Sequence, residues 1–102
     1  MLPTGPEATP GVVTWDELLR ALGVESRVVT EYVELGFAVP SGGPGHRAFT
    51  VTQAERLARA LRLARDLELH AAGAVMLVEL LEEREALLRR VRNLERVAGW
   101  SG

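Results

Sequence analysis

The residue types that could carry out chemistry are few, and their spacing builds no reactive centre. His46 and His70 are the only histidines, and the chain contains no cysteine and no lysine. A zinc site normally needs three or four nitrogen, sulfur or oxygen ligands, and no such set converges on either histidine. The glycine-rich turn at residues 42–45 lacks the G-x-x-x-x-G-K-[ST] pattern of a phosphate-binding loop. The sequence therefore predicts no enzyme, no metal site and no cofactor.

What remains is the chemistry of charged surfaces. Residues 1–50 carry three arginines against six acidic residues, whereas residues 51–102 carry nine arginines against eight. The candidate partner-binding acids form two groups. The first group is Glu79, Glu82, Glu83 and Glu85, and the second is Glu31 and Glu34. Each group has two interpretations. It captures a basic partner, or it is a solvent-exposed helix face with pairs such as Glu85/Arg89.

A row of arginines follows the helical repeat and also has two interpretations. The row is Arg56, Arg59, Arg62 and Arg65. It could contact nucleic acid, but Glu55, Asp66 and Glu68 lie among these arginines. The i,i+4 pairs Glu55/Arg59 and Arg62/Asp66 favour a solvent-exposed face.

Two short helices on either side of Gly23 position the Glu31/Glu34 pair. Thr14 and Glu17 have the spacing of a capping box, and Gly23 is a typical residue at a helix end. We expect Ser26 to cap the second helix. That helix would bury Val29, Tyr32 and Val33 and stop at Gly36. Two helices joined by a tight turn are typical of a helix-turn-helix unit.

Residues 37–49, called the wing below, have the pattern of a small hairpin. Residues 37–39 are a short apolar strand candidate, residues 41–45 have turn composition, and residues 47–49 would be the returning strand. A second capping box is predicted at Thr52 and Glu55, opening a third helix. Its core positions would be Leu57, Leu61, Ala64 and Leu67.

The last helix is predicted from about Ala72 to Val97, with His70 as its cap, and would be roughly 40 Å long. Its apolar seam is Leu77, Leu80, Leu87, Val91 and Leu94. The rest of so small a domain cannot cover a stripe of this length, so we expect the last four of these residues to form a homodimer contact. The predicted organisation is a flexible tail at 1–12, a winged helix-turn-helix at 13–71, a dimerisation helix at 72–97 and a tail at 98–102.

Composition places the chain in a broad class. A length of 102 residues with 47% hydrophobic residues fits one domain with one modest core. No stretch approaches the ~18 uninterrupted apolar residues of a membrane span. The N-terminal residues lack the basic and apolar regions of a signal peptide. We therefore expect a cytoplasmic protein.

Taken together, the predicted elements define the fold class. It is mainly α, a winged helix-turn-helix with a small β-hairpin wing and a long C-terminal helix.

The second helix is an unfavourable surface for DNA. A helix-turn-helix unit usually meets the phosphate backbone through arginine and lysine. The residues that this helix offers, called the α2 face below, are Ser26, Arg27, Thr30, Glu31 and Glu34. This face carries one arginine and two glutamates, so its net negative charge repels the DNA polyanion. The pattern therefore points to a protein partner, and we expect no specific DNA binding.

The ordered set of segments resembles the MerR-like winged-helix superfamily, and within it the chaperone-modulator family CbpM. ELGFAVP is similar to that family's turn after the second helix, and RAFT to its returning wing strand. The segment ALRLARDLELHAAGAVMLVELLEE resembles its central signature, with the paired acid at Glu82 and Glu83. The resemblance covers about residues 12–97. DNA-binding MerR proteins typically carry an Arg and an aromatic residue where this chain has Thr30 and Glu31, whereas the wing Arg is kept as Arg47.

The resemblance implies a non-enzymatic regulator. Members of that family bind the J-domain of a DnaJ-like co-chaperone of the curved-DNA-binding protein A class, inhibit its action with the Hsp70 chaperone DnaK, and form dimers. A J-domain presents a basic helix to Hsp70, so a competitor should present acids. Two alternatives stay open at this stage: a MerR-type DNA-binding transcriptional regulator, and a structural assembly factor that bridges chaperone components.

Overall fold

Four helices and a two-stranded sheet make up the described part of the chain, which is residues 11–43 and 45–101 of a computed structural model. In chain order the elements are β1 (Val12–Thr14), α1 (Trp15–Leu22), α2 (Ser26–Glu34), β2 (Ala48–Thr50), α3 (Val51–Leu67) and α4 (Ala71–Ser101). The predicted fold class, a mainly α winged helix-turn-helix with a long C-terminal helix, is confirmed. Of the tail predicted at residues 1–12, residues 1–10 lie outside the described residues. Val12 belongs to β1 and not to a tail.

The first helix begins and ends where the sequence predicted. The Glu17 amide donates to Thr14 Oγ1 at 3.2 Å, and the Thr14 amide donates to Glu17 Oε1 at 2.9 Å. This reciprocal capping box satisfies two amides that a helix N-terminus otherwise leaves unpaired. Gly23 then adopts a φ of 67° and donates its amide to Leu19 O at 2.8 Å. The left-handed conformation costs a glycine little, so the turn into α2 is sharp.

The second helix differs from the prediction at its start. Ser26 is its first residue, the N-cap is Glu25, and no side chain caps the helix. Val29 and Tyr32 are buried as predicted, and Val33 is half-buried. The chain leaves α2 through Gly36, which has a φ of 77°, and the Phe37 amide donates to Tyr32 O at 3.1 Å.

The sheet corrects the predicted pairing of the wing. β2 pairs antiparallel with β1, in the register Val12↔Thr50, Val13↔Phe49 and Thr14↔Ala48, and not with residues 37–39. Phe37 and Ala38 are both buried, whereas successive residues of a strand point to opposite faces. The wing closes by an isolated bridge between Ser41 and Ala48, with both backbone hydrogen bonds at 2.9 Å.

The third helix is capped two residues before the predicted position. Thr50 accepts from the Gln53 amide at 3.0 Å, and the Thr50 amide donates to Gln53 Oε1 at 3.2 Å. The predicted box at Thr52 and Glu55 is therefore wrong. Thr50 is already extended as the last residue of β2, which is the backbone conformation that an N-cap needs. At the other end of α3, Leu67 was predicted at a core position. The side chain is 55% exposed, so that prediction is wrong.

The core lies where α1, α2, α3 and β2 meet the start of α4. Its largest fully buried side chains are Phe49, Leu18, Leu57, Val29 and Val78. His70 directly precedes α4 as predicted, and its carbonyl accepts from the Ala74 amide at 3.0 Å. Only the first turns of α4 enter the core, since every described side chain from residue 87 to residue 99 is exposed. The helix continues through residues 98–101, which the sequence assigned to a tail, and is about 46 Å long.

The two candidate caps of α3 offer a direct test of the fold. Thr50→Ala should lower the free energy of unfolding by about 1 kcal/mol, because it leaves the Gln53 amide without its acceptor. Thr52→Ala is the matched control and should change it by less than about 0.5 kcal/mol. Urea denaturation of both variants measures the difference. A larger loss at Thr52 than at Thr50 would restore the capping box that the sequence predicted.

Candidate functional site

Arg56 joins three parts of the molecule. Its Nε donates to Glu82 Oε2 at 2.6 Å and its Nη2 donates to Glu82 Oε1 at 2.9 Å, so α3 holds α4 by a two-point ion pair. Its Nη1 donates to Phe37 O at 3.0 Å, and the guanidinium carbon lies 4.2 Å from the centroid of the Phe37 ring. Gln53 Nε2 also donates to Val39 O at 3.0 Å. The start of the wing is thereby fixed to α3.

A second ion pair lies further along the same two helices. Arg59 Nη2 is 2.8 Å from Glu85 Oε2, and Nη1 is 3.4 Å from Glu85 Oε1. Hydrogen bonding from Arg59 lowers the pKa of the Glu85 carboxyl below its ordinary value. The hydrogen bond to Glu82 raises the pKa of Arg56. These two contacts, Arg56–Glu82 and Arg59–Glu85, are called the α3–α4 ion pairs below.

The α3–α4 ion pairs replace two predicted pairs, one within α3 and one within α4. Arg59 pairs with Glu85 rather than with Glu55, and Glu85 pairs with Arg59 rather than with Arg89. Tertiary packing brings α3 against α4, and this contact replaces the pairs expected within each helix. Further along α3, Arg65 Nε lies 3.4 Å from Asp66 Oδ1, and both side chains are largely exposed.

The ion pairs also divide the predicted partner-binding acids. Glu82, half of the paired acid, accepts from Arg56 and is only half-exposed. Glu79 and Glu83 on α4 are exposed, as are Glu31 and Glu34 on α2. Since α2 packs against α4, the structure places four of the six candidate carboxylates on neighbouring helices as exposed side chains.

Several arginines near the helix-turn-helix unit are engaged within the fold, whereas Arg20 on α1 is exposed. Arg47, the wing arginine, stacks with its guanidinium carbon 3.8 Å from the centroid of the Trp15 ring. Trp15 in turn stacks on Phe49, with ring centroids 5.7 Å apart. On α2, Arg27 Nε lies 3.2 Å from Glu25 Oε1. Together with Arg56 and Arg59, these contacts reduce the positive charge that the unit could offer to a phosphate backbone.

A stripe of exposed apolar side chains runs along the outer side of α4. These residues, called the outward stripe below, are Met76, Leu80, Leu87, Val91 and Leu94, with exposed fractions from 48% to 68%. The four predicted dimer residues are all members. Leu77, which the sequence placed in the seam, is half-buried. The sequence missed Met76, although its i,i+4 spacing to Leu80 could have identified it.

The histidines do not form a site. His46 lies in the wing and His70 before α4, and both are exposed. Within residues 11–43 and 45–101 no group of three or more His, Cys, Asp or Glu side chains could hold a metal ion. The same part of the chain contains no helix long and apolar enough to cross a membrane.

These features define a winged helix-turn-helix protein whose third and fourth helices are tied together by ion pairs. Residues 13–96 match the MerR HTH family regulatory protein family. The chain therefore belongs to this family. No solved structure matches the chain.

The two neighbouring glutamates of α4 should differ in their effect on stability. Glu82→Gln weakens the contact that holds Arg56 and should lower the free energy of unfolding by about 1 kcal/mol, since a partly exposed pair is partly screened by solvent. Glu83→Gln is the matched control, exposed on the same turn, and should change it by less than about 0.5 kcal/mol. Chemical denaturation measures both. Equal losses would mean that the Arg56–Glu82 pair contributes no stability of its own.

Proposed function

We propose that this protein is a non-enzymatic chaperone modulator of the cytoplasm. In this proposal it binds the J-domain of a DnaJ-like co-chaperone of the curved-DNA-binding protein A class and inhibits its action with DnaK. The observation that carries the proposal is the α2 face, where Glu31 and Glu34 are exposed and the one arginine lies beside Glu25. The resemblance to the chaperone-modulator family, given by the turn, wing and central segments, supplies the partner.

Charge complementarity supports a basic partner. The recognition element of a helix-turn-helix protein normally offers cations to phosphates. Here Arg47 is stacked on Trp15, and Arg56 and Arg59 are paired with carboxylates. A basic helix that approaches α2 would meet Glu31 and Glu34, and Glu79 and Glu83 lie on the adjacent α4. Such complementarity raises the association rate and selects the partner.

The ion pair of Glu82 changes which residues we propose for docking. The family resemblance pairs Glu82 with Glu83, but Glu82 already accepts two hydrogen bonds from Arg56. Reversing its charge would disturb the fold as well as any docking contact. We therefore assign docking to the four exposed carboxylates, Glu31, Glu34, Glu79 and Glu83, and give Glu82 the role of positioning α4.

Binding of an isolated J-domain tests the proposal. Calorimetry with a J-domain from a DnaJ-like protein of the same organism should detect association that weakens at higher salt, as screening shortens the range of charge attraction. The double reversals Glu31→Arg/Glu34→Arg and Glu79→Arg/Glu83→Arg should each weaken it by about tenfold or more, because a desolvated like charge costs several kcal/mol at an interface. Suppression of J-domain-stimulated ATP hydrolysis by DnaK is the functional readout.

Glu55→Arg is the control, because Glu55 is exposed on α3 and belongs to neither pair. It should leave J-domain affinity unchanged, and sedimentation should show the same oligomeric state for all variants. Absence of binding at low and at moderate salt would refute the proposal.

The family match favours a second candidate, a MerR-type DNA-binding regulator. That function would rely on arginines outside the contacts described above, such as the exposed Arg20 and Arg62. Selection of genomic fragments by the purified protein distinguishes the two functions. A clear palindromic motif, bound with strong salt dependence, would establish the DNA-binding function in place of the first.

We further propose that the protein is a homodimer joined through the outward stripe. Large exposed apolar patches are uncommon on monomers, and a symmetric dimer buries the same residues from each copy. The charges of α4 favour an antiparallel arrangement. A parallel pair would align the arginines at positions 89, 90, 92 and 96 with their own copies, whereas an antiparallel pair moves these copies apart.

Substitution within the stripe tests the dimer. Leu87→Glu/Val91→Glu should convert the dimer to a monomer in sedimentation experiments, because burying like charges opposite one another is unfavourable. Asn93→Glu, exposed on the same helix but off the stripe, is the control and should leave the dimer intact. A wild-type protein that sediments as a monomer at high concentration would refute the dimer.

Disulfide cross-linking tests the antiparallel arrangement. Mixed Leu80→Cys and Leu94→Cys chains should cross-link with each other, and cross-linking of Leu80→Cys chains among themselves would show the parallel arrangement.

A further inference from the structure

A groove lies between the helix-turn-helix unit and the end of α3, away from the outward stripe. Its volume is about 680 Å³, within the range of about 300–1,000 Å³ typical of small-molecule sites. Its walls are the half-buried apolar side chains of Leu22, Val24, Val28, Leu61 and Leu69. These residues provide a surface for an apolar body.

Tyr32 gives the groove a buried polar group. Tyr32 lines the groove and is only 2% exposed, and its hydroxyl forms no hydrogen bond with the other described residues. No buried side-chain polar atom among those residues is left without a partner, so this hydroxyl must reach solvent. We place that opening in the groove that the ring lines. Burial and the neighbouring Glu31 raise the pKa of Tyr32, which keeps the hydroxyl a proton donor at neutral pH.

The rim of the groove carries more positive than negative charge. Arg62 is exposed and forms no ion pair within the described residues, and Arg65 pairs only with the exposed Asp66. His70 lies on the same rim, and Glu31 is the acidic side chain that lines the groove. The two guanidinium groups are on α3, opposite Glu31 on α2. An anionic head group on the α3 side would therefore be attracted.

We propose that this groove binds a small amphipathic carboxylate, with an apolar chain on the Val28/Leu61/Leu69 walls and a head group near Arg62 and the Tyr32 hydroxyl. A neutral hydroxyl and a guanidinium are suitable donors for a carboxylate, and hydrogen bonds to a charged group are stronger than neutral ones. The site is separate from the α2 face and the outward stripe, apart from Glu31, which borders the groove. Its ligand would be an effector of the protein rather than a substrate.

Titration of the purified full chain with octanoate tests the proposal by amide chemical shifts and calorimetry. Octanoate should bind saturably, with shifts confined to the groove residues. 1-Octanol, which has the same chain without the charge, should bind about tenfold more weakly. Butyrate, which has the charge without the long chain, should also bind more weakly, because each buried methylene contributes about 0.8 kcal/mol. No saturable shift with octanoate, or equal binding of 1-octanol, would overturn the proposal.

Variants of the polar groups complete the test. Tyr32→Phe keeps the ring and breaks no hydrogen bond of the described residues, so the fold should persist while octanoate affinity falls about tenfold. Arg62→Gln should have a similar effect, and Glu31→Gln should increase affinity by removing a like charge. Arg90→Gln, exposed on α4 outside the groove, is the control and should change nothing. Unchanged affinity in both Tyr32→Phe and Arg62→Gln would refute the assigned head-group position.

A cross-linking experiment identifies a competing occupant. Ala21 is exposed at the edge of the groove, and benzoylphenylalanine in its place should not cross-link the purified protein to itself. If copies cross-link efficiently and octanoate does not block the reaction at any concentration, the groove is a contact between two chains. That result would overturn the proposal. None of these measurements involves a J-domain, so their failure leaves the proposed chaperone function untouched.

Discussion

The contacts between α3, α4 and the start of the wing meet at one guanidinium group. Arg56 of α3 donates two hydrogen bonds to Glu82 of α4 and one to the Phe37 carbonyl, and its guanidinium plane lies over the Phe37 ring. One side chain thus joins the long helix, the start of the wing and the helix between them. Arginine suits this role because its planar fork satisfies a carboxylate with two parallel hydrogen bonds and still presents a face to an aromatic ring. The chain has no lysine, and lysine could not replace this geometry.

The same contacts explain how a helix-turn-helix shape can lack the charge of a DNA-binding protein. In a unit that meets phosphates, arginines extend toward solvent. Here Arg47 lies on Trp15, and Arg56 and Arg59 face carboxylates of α4. These cations stabilise the packing of the wing and of α4, and the exposed carboxylates Glu31 and Glu34 dominate what α2 presents. The fold of the family is retained, and α2 presents these carboxylates to solvent.

The long helix divides into a part that packs on the core and a part that is exposed. Ala71, Ala74, Val75 and Val78 complete the core, and the α3–α4 ion pairs extend the contact as far as Glu85. Beyond that point the described side chains are exposed, including the apolar members of the outward stripe. A helix isolated from tertiary contacts gains little stability from propensity alone. The exposed half of α4 therefore has a physical reason to pack against a partner.

The sequence by itself determined the elements that depend on local interactions. The Thr14/Glu17 capping box, the stop at Gly23 and the long last helix follow from residue spacing and backbone preference, and all were predicted. The exposed positions of Leu80, Leu87, Val91 and Leu94 also followed from the helical repeat, because one short domain cannot cover so long a stripe.

Only the tertiary structure decided the contacts between segments distant in the chain. β1 pairs with β2 across more than thirty residues of sequence, and no local pattern distinguishes that pairing from the hairpin expected at residues 37–49. Thr50 and Thr52 both begin a capping-box pattern, and the extended end of β2 selected Thr50. The sequence offered Glu82 no partner and offered Glu85 only Arg89, whereas the packing of α3 beside α4 supplied Arg56 and Arg59. Spacing along one helix describes which residues share a face, but the partner of that face depends on how the helices pack.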